Sequence, residues 1–315
     1  MSPDVRIATV TLNPAIDQTV SIPGFRTGQV NRVAHTRSDP GGKGVNVASV
    51  LADFGHPVSV TGFLGEENTQ LFERLFAQKK IDDRFVRIAG NTRTGIKIID
   101  ETKQETTDIN FPGETPTAQD VQALVAIVKA LTSTCDWFVL SGSIPAGLSP
   151  DIYQHLVTVI KAEERSVALD TSGEGLHLAI ASGPTLIKPN IDELQELSGR
   201  TLESEQAIVR AAQALLGLGV ECIVVSMGKQ GAIFVEGDQV IVSRPPGVTV
   251  KSTVGAGDAM VSGMVAGKVQ GSSLTECARL ATAFSVDAIT HVGSGLPSMA
   301  SLRGFMDQVI VEKLS

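Results

Sequence analysis

Two glycines and an alanine stand directly before an aspartate in the stretch Ser252-Thr253-Val254-Gly255-Ala256-Gly257-Asp258. A run of small, mostly apolar residues follows at 259–266, so we predict a tight loop that feeds a helix N-terminus. Such a loop turns several backbone N–H groups toward one point, where the helix dipole adds partial positive charge. We expect a phosphate there, with Asp258 beside it as a base for an attacking hydroxyl. The alternative is a small-residue loop with a helix-capping aspartate.

A second glycine cluster, Pro40-Gly41-Gly42-Lys43-Gly44-Val45-Asn46-Val47-Ala48, precedes a helical pattern near the N-terminus. Upstream stands Thr11-Leu12-Asn13-Pro14-Ala15-Ile16-Asp17, and the middle of the chain contains Ile187-Lys188-Pro189-Asn190-Ile191-Asp192-Glu193-Leu194. Across roughly residues 5–300, the set resembles the ribokinase-type sugar kinases, and more narrowly their phosphofructokinase-B branch. Segments 28–32 and 107–113 are most similar to the 1-phosphofructokinase group of that branch.

Composition excludes several other classes of protein. The 315 residues suit one large α/β domain with an appendage, or two ordinary domains. The 26 basic and 34 acidic residues give a net charge of −8, which argues against nucleic-acid or anionic-membrane binding. The three cysteines are far apart, so we expect neither a disulfide nor a zinc site. No signal peptide is visible, and we expect a cytoplasmic protein.

Strand-like runs alternate with helical patterns along most of the chain, which predicts an α/β fold with a mostly parallel sheet covered by helices on both faces. The predicted strands are 5–12, 58–64, 136–141, 166–170, 184–188, 221–226, 231–236 and 239–243. The predicted helices are 44–54, 67–79, 117–132, 149–164, 190–198, 204–218, 257–269, 273–290 and 298–313. The family resemblance implies the same ribokinase-like architecture.

Two segments, approximately 18–36 and 91–112, break this alternation with short β-prone pieces. We interpret them as a small β-sheet lid that projects from a single domain spanning 1–315. The resemblance implies a lid over the sugar site that often pairs with the lid of another subunit. An exposed sheet edge promotes aggregation, so pairing would protect it, and we expect a homodimer joined through the lids.

Polar residues follow several predicted strands, where ligands collect in an open parallel sheet. Each could also be an ordinary helix cap or turn former. These residues are Asn13, Asp17, Ser141, Ser143, Asp170, Lys188, Asn190, Ser226 and Gly228.

The resemblance implies a sugar site in which Asp17 accepts hydrogen bonds from hydroxyls, although a turn aspartate is the alternative. A glycine pair lets the sugar lie against backbone, because a Cβ would block that approach. The residues implied to bind the sugar phosphate are Asp17, Gly41, Gly42, Lys43, Asn46, Arg93, Asn110 and Ser141.

Two cations are the leading candidates for the phosphate that the substrate already carries. Arg93 can grip a phosphate bidentately, and Lys43 lies inside the glycine cluster. Arg32 and Lys97 are weaker candidates. The cluster is not a Walker A loop, because no Ser or Thr follows Lys43.

The resemblance also implies a site for Mg-ATP. Asn190 and Glu193 stand three apart at a helix start and would act on Mg²⁺ through water, although Glu193 could equally complete a capping interaction. The residues implied to lie near the nucleotide are Lys188, Asn190, Glu193, Ser226, Gly228, Thr253, Gly255 and Gly257. The loop with Ser226 and Gly228 could be only a hairpin turn.

A monovalent cation, K⁺, is a further implication of the resemblance. In related kinases, carbonyls around Ser252 and Val254 and in the glycine-rich stretch 291–295 hold such an ion. The ion lies beside the predicted phosphate-binding loop at 252–257, which we call the anion loop. None of the five histidines pairs at metal-ligand spacing, so we expect no other metal site.

The resemblance predicts an ATP-dependent kinase that phosphorylates fructose 1-phosphate at its C6 hydroxyl. Asp258 would be the base, and the backbone of Gly255, Ala256 and Gly257 would stabilise the moving phosphoryl group. Tagatose 6-phosphate and fructose 6-phosphate are the near alternatives as substrate. A non-catalytic sugar-phosphate sensor is the alternative from another class, and the intact Asp258 argues against it.

Overall fold

The computed structural model describes residues 5–103, 105–291, 293, 295–296 and 298–314. The strands in chain order are β1 (Ile7–Thr11), β2 (Ala15–Ser21), β3 (His35–Gly41), β4 (Val58–Gly65), β5 (Asp82–Asp83), β6 (Val86–Ile88), β7 (Thr94–Asp100), β8 (Glu105–Asn110), β9 (Trp137–Ser141), β10 (Ser166–Asp170), β11 (Leu186–Ile187), β12 (Cys222–Ser226), β13 (Ala232–Glu236), β14 (Gln239–Arg244) and β15 (Ile310–Leu314). The helices are α1 (Lys43–Asp53), α2 (Gln70–Lys79), α3 (Ala118–Leu131), α4 (Ile152–Lys161), α5 (Gly173–Ile180), α6 (Ile191–Ser198), α7 (Glu205–Leu216), α8 (Ala256–Val269), α9 (Leu274–Ile289) and α10 (Met299–Gln308).

The main sheet has the strand order β15-β14-β13-β12-β11-β10-β9-β1-β4-β5, with β6 also paired to β4. Pairing is parallel from β12 through β1 to β4, and antiparallel from β12 outward through β15. The prediction of a mostly parallel sheet is therefore confirmed. Because the central strands are parallel, their carboxyl ends meet at one edge, where ligands collect in this class of fold.

Both faces of the sheet are buried, as the continuously apolar central strands predict. In β1, Ile7 packs into the core on one face, and Ala8 and Val10 pack into the core on the other. The first core is completed by α1, α8 and α9, and the second by α3, α4 and α7. Helices on both faces hold the strand ends in a fixed arrangement.

Close packing of α8 on α9 depends on two glycines at Gly263-x-x-x-Gly267. A Cβ at Gly263 would lie 2.6 Å from Ala281 Cα, and one at Gly267 would lie 2.7 Å from Cys277 Sγ. In the sequence, this spacing of glycines predicts that another element packs closely against the helix, and the structure confirms the prediction. It sets the position of α8, and α8 begins at the anion loop.

The lid is a separate four-stranded sheet with the order β3-β2-β7-β8. Its own apolar core is small and consists of Val20, Ile22 and Ile98 with two partly buried neighbours. The strands differ from the predicted segment 18–36, because β2 begins at Ala15 and β3 continues to Gly41. Consequently Asp17 and the first glycine of the Gly41-Gly42 pair are themselves part of the lid.

Two further predictions of secondary structure were wrong. Helix α5 was missed, because Gly173 and Gly175 mask a short helical pattern in the sequence. The predicted helix 298–313 ends at Gln308, and β15 follows it and pairs antiparallel with β14. β-branched residues at 309–311 favour the extended chain, and the free edge of β14 supplies its hydrogen bonds. In the described part of the chain, no helix is long and apolar enough to cross a membrane.

Candidate active site

The anion loop lies at the N-terminus of α8. Gly255 is the N-cap residue and has φ +81°, a left-handed conformation that strains other residues. No side chain of a described residue caps this helix, and first-turn N–H groups have no acceptor within their own helix. The backbone of Ala256, Gly257 and Asp258 is therefore available to an anion, as the sequence predicts.

Asp258 lies in the first turn of α8, directly after the glycines of this loop. It is buried, with 6% of its surface exposed. Asn46, on α1, donates a hydrogen bond from Nδ2 to Asp258 Oδ2 at 2.8 Å. Burial raises the pKa of Asp258 to about 6, and Asp170 adds to the rise, while Asn46, Lys43 and Lys188 oppose it. A carboxylate with this pKa is ionised at neutral pH and is still basic enough to accept a proton.

Two lysines converge on Asp170 at the carboxyl end of β10. Its Oδ1 lies 3.3 Å from Lys43 Nζ and 3.4 Å from Lys188 Nζ. Burial lowers the pKa of Lys43, but Asp170 and the more distant Asp258 and Glu193 outweigh that effect, so the pKa is raised. Asp170 is absent from the predicted set of binding and catalytic residues, although its place after a buried strand was the available signal.

The predicted sugar side of the site contains a cavity of about 200 Å³ between the lid and the loop at 251–255. Asp17 and Asn46 line it, and burial raises the pKa of Asp17 against the opposing effect of Lys97 and Arg93. The cavity also contains lid residues outside the leading predicted set. These are Thr19, Asp39, Lys97, Ile99, Thr106 and Asp108.

Glycines allow the close approaches around Asp17. A Cβ at Gly41 would lie 2.1 Å from Asp17 Oδ2, and one at Gly95 would lie 3.2 Å from Asp17 Oδ1 and 3.4 Å from Asn110 Oδ1. Asp17 and Asn110 therefore lie on either side of Gly95, as the β2–β7–β8 register requires. Gly42 has φ +110°, and a Cβ there would lie 2.9 Å from the Cα of Pro14.

Arg93 lies just before β7, where the lid joins the main domain, and does not line the sugar cavity. Its Nη2 is 3.4 Å from Asn13 O and its Nη1 is 3.5 Å from Phe111 O. Its Nε is buried and has no partner among the described residues. Burial lowers the pKa of Arg93 despite the opposing effect of Asp17. This guanidinium has long, neutral contacts, which leaves capacity for an anion.

The turn after β9 exposes a different serine from the predicted one. The Ser141 side chain is fully buried, and its Oγ has no partner within the described part of the chain. Ser143 is exposed and accepts a hydrogen bond from Asn13 Nδ2 at 3.1 Å. Substrate contact by Ser141 stays a prediction, and Ser143 is the hydroxyl on the open side.

The nucleotide side contains the predicted Asn190 and Glu193 at the start of α6. They form a capping box: Glu193 N donates to Asn190 Oδ1 at 2.8 Å, and Asn190 N donates to Glu193 Oε2 at 2.9 Å. Ser226 lies beside Asn190 through an isolated parallel bridge, and Gly228, with φ +58°, begins the turn into β13. The structure thus contains both the turn between β12 and β13 and the capping interaction of Glu193 that were the alternatives for these residues. The capping box still leaves the second carboxylate oxygen of Glu193 available to the hydration shell of Mg²⁺, so the residues fit that ion.

The predicted cation loop is only partly described. Lys251 N donates to Ile289 O at 2.8 Å, which holds the segment with Ser252 and Val254 against the end of α9. Residues 292 and 294 of the stretch 291–295 lie outside the described residues. Where the structure is described, no group of three or more His, Cys, Asp or Glu side chains could hold a metal ion.

Comparison with known sequences shows what this chain is similar to. The profile for the pfkB family of carbohydrate kinases matches residues 10–300. The 1-phosphofructokinase of Rhodobacter capsulatus is 46% identical over 311 residues, which cover 98% of both chains. The 1-phosphofructokinase of Vibrio cholerae is 39% identical and covers 98% of this chain and 97% of its own.

Solved structures agree with the sequence comparison. A possible 1-phosphofructokinase from Thermotoga maritima matches with a TM-score of 0.89 and 30% identity, covering 98% of this chain and 100% of its own. Phosphofructokinase-2 from Escherichia coli, in complex with fructose-6-phosphate, matches with a TM-score of 0.90 and 29% identity, covering 96% of this chain and 99% of its own. This chain therefore belongs to the pfkB family of carbohydrate kinases.

Proposed function

We propose that this protein transfers the γ-phosphoryl group of ATP to the C6 hydroxyl of fructose 1-phosphate, giving fructose 1,6-bisphosphate and ADP. The observation that carries the proposal is the position of Asp258. It is a buried carboxylate with a raised pKa, adjoining an uncapped helix N-terminus. Its partner Asn46 lines the cavity that contains Asp17. The similarity to proteins named 1-phosphofructokinase supports fructose 1-phosphate as the substrate over other sugar phosphates of similar size.

The proposed chemistry needs little covalent participation from the protein. Asp258 accepts the proton of the attacking hydroxyl, and Asn46 orients the carboxylate through its 2.8 Å hydrogen bond. The N–H groups at the start of α8 donate to the phosphoryl oxygens as charge shifts between them. Asp17 accepts hydrogen bonds from ring hydroxyls, and Arg93 binds the phosphate already present on the sugar.

Mg²⁺ bound with ATP would supply positive charge to the phosphate oxygens. Glu193 and Asn190 would hold the hydration shell of this ion, consistent with one carboxylate oxygen of Glu193 outside the capping box. K⁺ at Ser252 and Val254 is part of the same proposal. Its support is the attachment of that segment to the end of α9.

A homodimer joined through the lids completes the proposal, with residues 1–315 as one domain. The lid core is small, and large apolar side chains lie exposed around it. They are Val30, Val33, Ile109 and Phe111. Pairing of two lids would bury these side chains and cover exposed sheet edges.

The test is ADP release by the purified protein with fructose 1-phosphate, fructose 6-phosphate and tagatose 6-phosphate, each with Mg-ATP. We expect the highest kcat/KM with fructose 1-phosphate. The Asp258→Asn protein is the control for contaminating kinases. A preference for either 6-phosphate would change the assigned substrate. Binding of a sugar phosphate without ADP release would instead support the non-catalytic sensor.

A further inference from the structure

Asp170 is a buried carboxylate between two lysines, and the sugar and nucleotide assignments leave it without a role. Its side chain is 1% exposed, and its Oδ1 is shared by Lys43 and Lys188. Its Oδ2 is also buried and has no partner within the described residues. A buried carboxylate is costly unless cations compensate it, so a cluster of this kind needs a reason in the site.

Each of the two lysines belongs to a different part of the site. Lys188 Nζ lies 3.4 Å from the position that a Cβ on Gly257 would occupy, so its ammonium group lies against the anion loop. Lys43 is the first residue of α1, the helix that also contains Asn46, and its side chain is 41% exposed. Asp170 therefore links Lys188, which lies beside the anion loop, to Lys43 on α1, the helix that carries Asn46.

The same two lysines act electrostatically on Asp258. The groups that face Asp258 are Lys43 and Asn46 from α1, Asp170 from β10 and Lys188 from the end of β11, while Glu193 from α6 acts on Lys43. If Asp170 were neutral, Asp258 would be the remaining buried carboxylate for both lysines. An ion pair with either of them would occupy the oxygen that must meet the hydroxyl and would weaken the base.

We propose that Asp170 is a positioning residue that holds Lys43 and Lys188 on either side of the transferred phosphoryl group and away from the Asp258 carboxylate. The two ammonium groups then face the phosphates, and the base keeps a free oxygen. This inference deepens the proposed phosphoryl transfer and rests on it. It assigns Lys43 to the transferred phosphoryl group and leaves the phosphate already on the sugar to Arg93. Asp170 then acts in the chemical step and not in the affinity for either substrate.

The first experiment separates kcat from KM in Asp170→Asn, which keeps the shape of the side chain and removes its charge. We expect kcat to fall by about 10²-fold, as misplacement of reacting groups by an ångström does, while both KM values change little. Asp136→Asn is the matched control, because Asp136 precedes β9 at the opposite edge of the same sheet and pairs with Arg165 at 3.1 Å. A kcat for Asp170→Asn equal to that of the control, or a change in KM alone, would overturn the proposal.

The second experiment measures thermal unfolding without substrate, in a cycle of Asp170→Asn, Lys188→Met and the double variant. If Asp170 holds the lysines, Lys188→Met alone lowers the midpoint because it leaves Asp170 with less compensation, and adding Asp170→Asn restores part of the loss. Additive effects would overturn the proposed role of Asp170. If the wild-type protein phosphorylates none of the three sugars, the proposed function fails, and this cycle still decides whether Asp170 holds the lysines.

Discussion

The floor of the candidate site and its lid are built in opposite ways. The floor is a set of buried charges, with Asp170 and Lys188 at the carboxyl ends of central strands and Asp258 in the first turn of α8, all 7% exposed or less. The lid is a thin sheet whose outer strand β8 is exposed along its whole length, and Val30, in the loop between β2 and β3, is 87% exposed. The large core thus fixes the positions of these charges, whereas the lid has little core of its own.

This difference shows how one chain can support both the electrostatic stabilisation of a phosphoryl transfer and the binding of its sugar substrate. Electrostatic stabilisation requires dipoles and charges that do not rearrange during the reaction, and two packed helical layers supply that rigidity. Binding and release of a sugar require a cover that can move, and a sheet with few buried contacts opens at low cost. We therefore expect floor substitutions to affect turnover and lid substitutions to affect affinity and assembly.

The sharpest test of the floor is Asp258→Asn. We expect turnover to fall by roughly 10²–10⁴-fold, the usual contribution of a general base, while ATP and sugar phosphate still bind. The substituted amide keeps an oxygen to accept the hydrogen bond from Asn46, so the loop should stay in place. Steady-state kinetics and calorimetry on the purified protein measure both quantities. Near-wild-type turnover would remove Asp258 from the role of base.

Arg93 lies where the lid joins the main domain, and Arg93→Ala should weaken sugar-phosphate binding far more than ATP binding. Loss of a charge-assisted contact to phosphate costs about 1.5–3 kcal/mol, or roughly 10- to 150-fold in affinity. Fructose, which carries no phosphate, serves as the matched ligand and should be affected little. Calorimetry gives each affinity, and unchanged binding of fructose 1-phosphate would place Arg93 outside the phosphate site.

Mild acid should lower turnover by protonating Asp258. The pKa of Asp258 is raised to about 6 by burial, so kcat should fall about tenfold at one pH unit below that value as the base becomes protonated. The folded state then binds this proton more tightly than the unfolded state does. The contribution of Asp258 to stability should therefore increase as the pH falls from about 6 toward 3.8.

The pH profile of kcat and the thermal midpoint of Asp258→Asn check both parts of this expectation. The thermal midpoint of the wild-type protein should rise relative to that of the variant as the pH falls across the same range. A kcat that is flat down to about 1.5 units below the pKa of Asp258 would contradict its assignment as the titrating base.

The smallest expected effect, about twofold in mass, concerns assembly through the lid. Phe111→Asp places a charge among the exposed apolar lid residues and should convert a homodimer into a monomer, because a buried unpaired charge opposes association. Leu218→Asp is the control, since Leu218 is similarly exposed, at 54%, beyond the C-terminal end of α7. Light scattering at micromolar concentration measures the mass. A wild-type monomer with full activity would contradict both the dimer and any coupling of assembly to closure.

Local sequence determined much of this protein. The alternation of strand and helix patterns predicted the parallel sheet, and the glycines around residues 255–257 predicted a tight loop that leads into α8. Both properties depend on residues that are close together in the chain. The spacing Gly263-x-x-x-Gly267 predicted close helix packing for the same reason, because a missing Cβ has a direct steric consequence.

Tertiary structure alone decided how the charges are shared. Lys43, Asp170 and Lys188 are separated by long stretches of sequence, and only the fold brings both ammonium groups within 3.4 Å of the Asp170 carboxylate. It also decided that Gln308 ends a helix, because the free edge of β14 offers hydrogen bonds to the residues that follow. A pattern along the chain records which side chains are available, whereas burial and distance determine which of them meet and at what pKa they act.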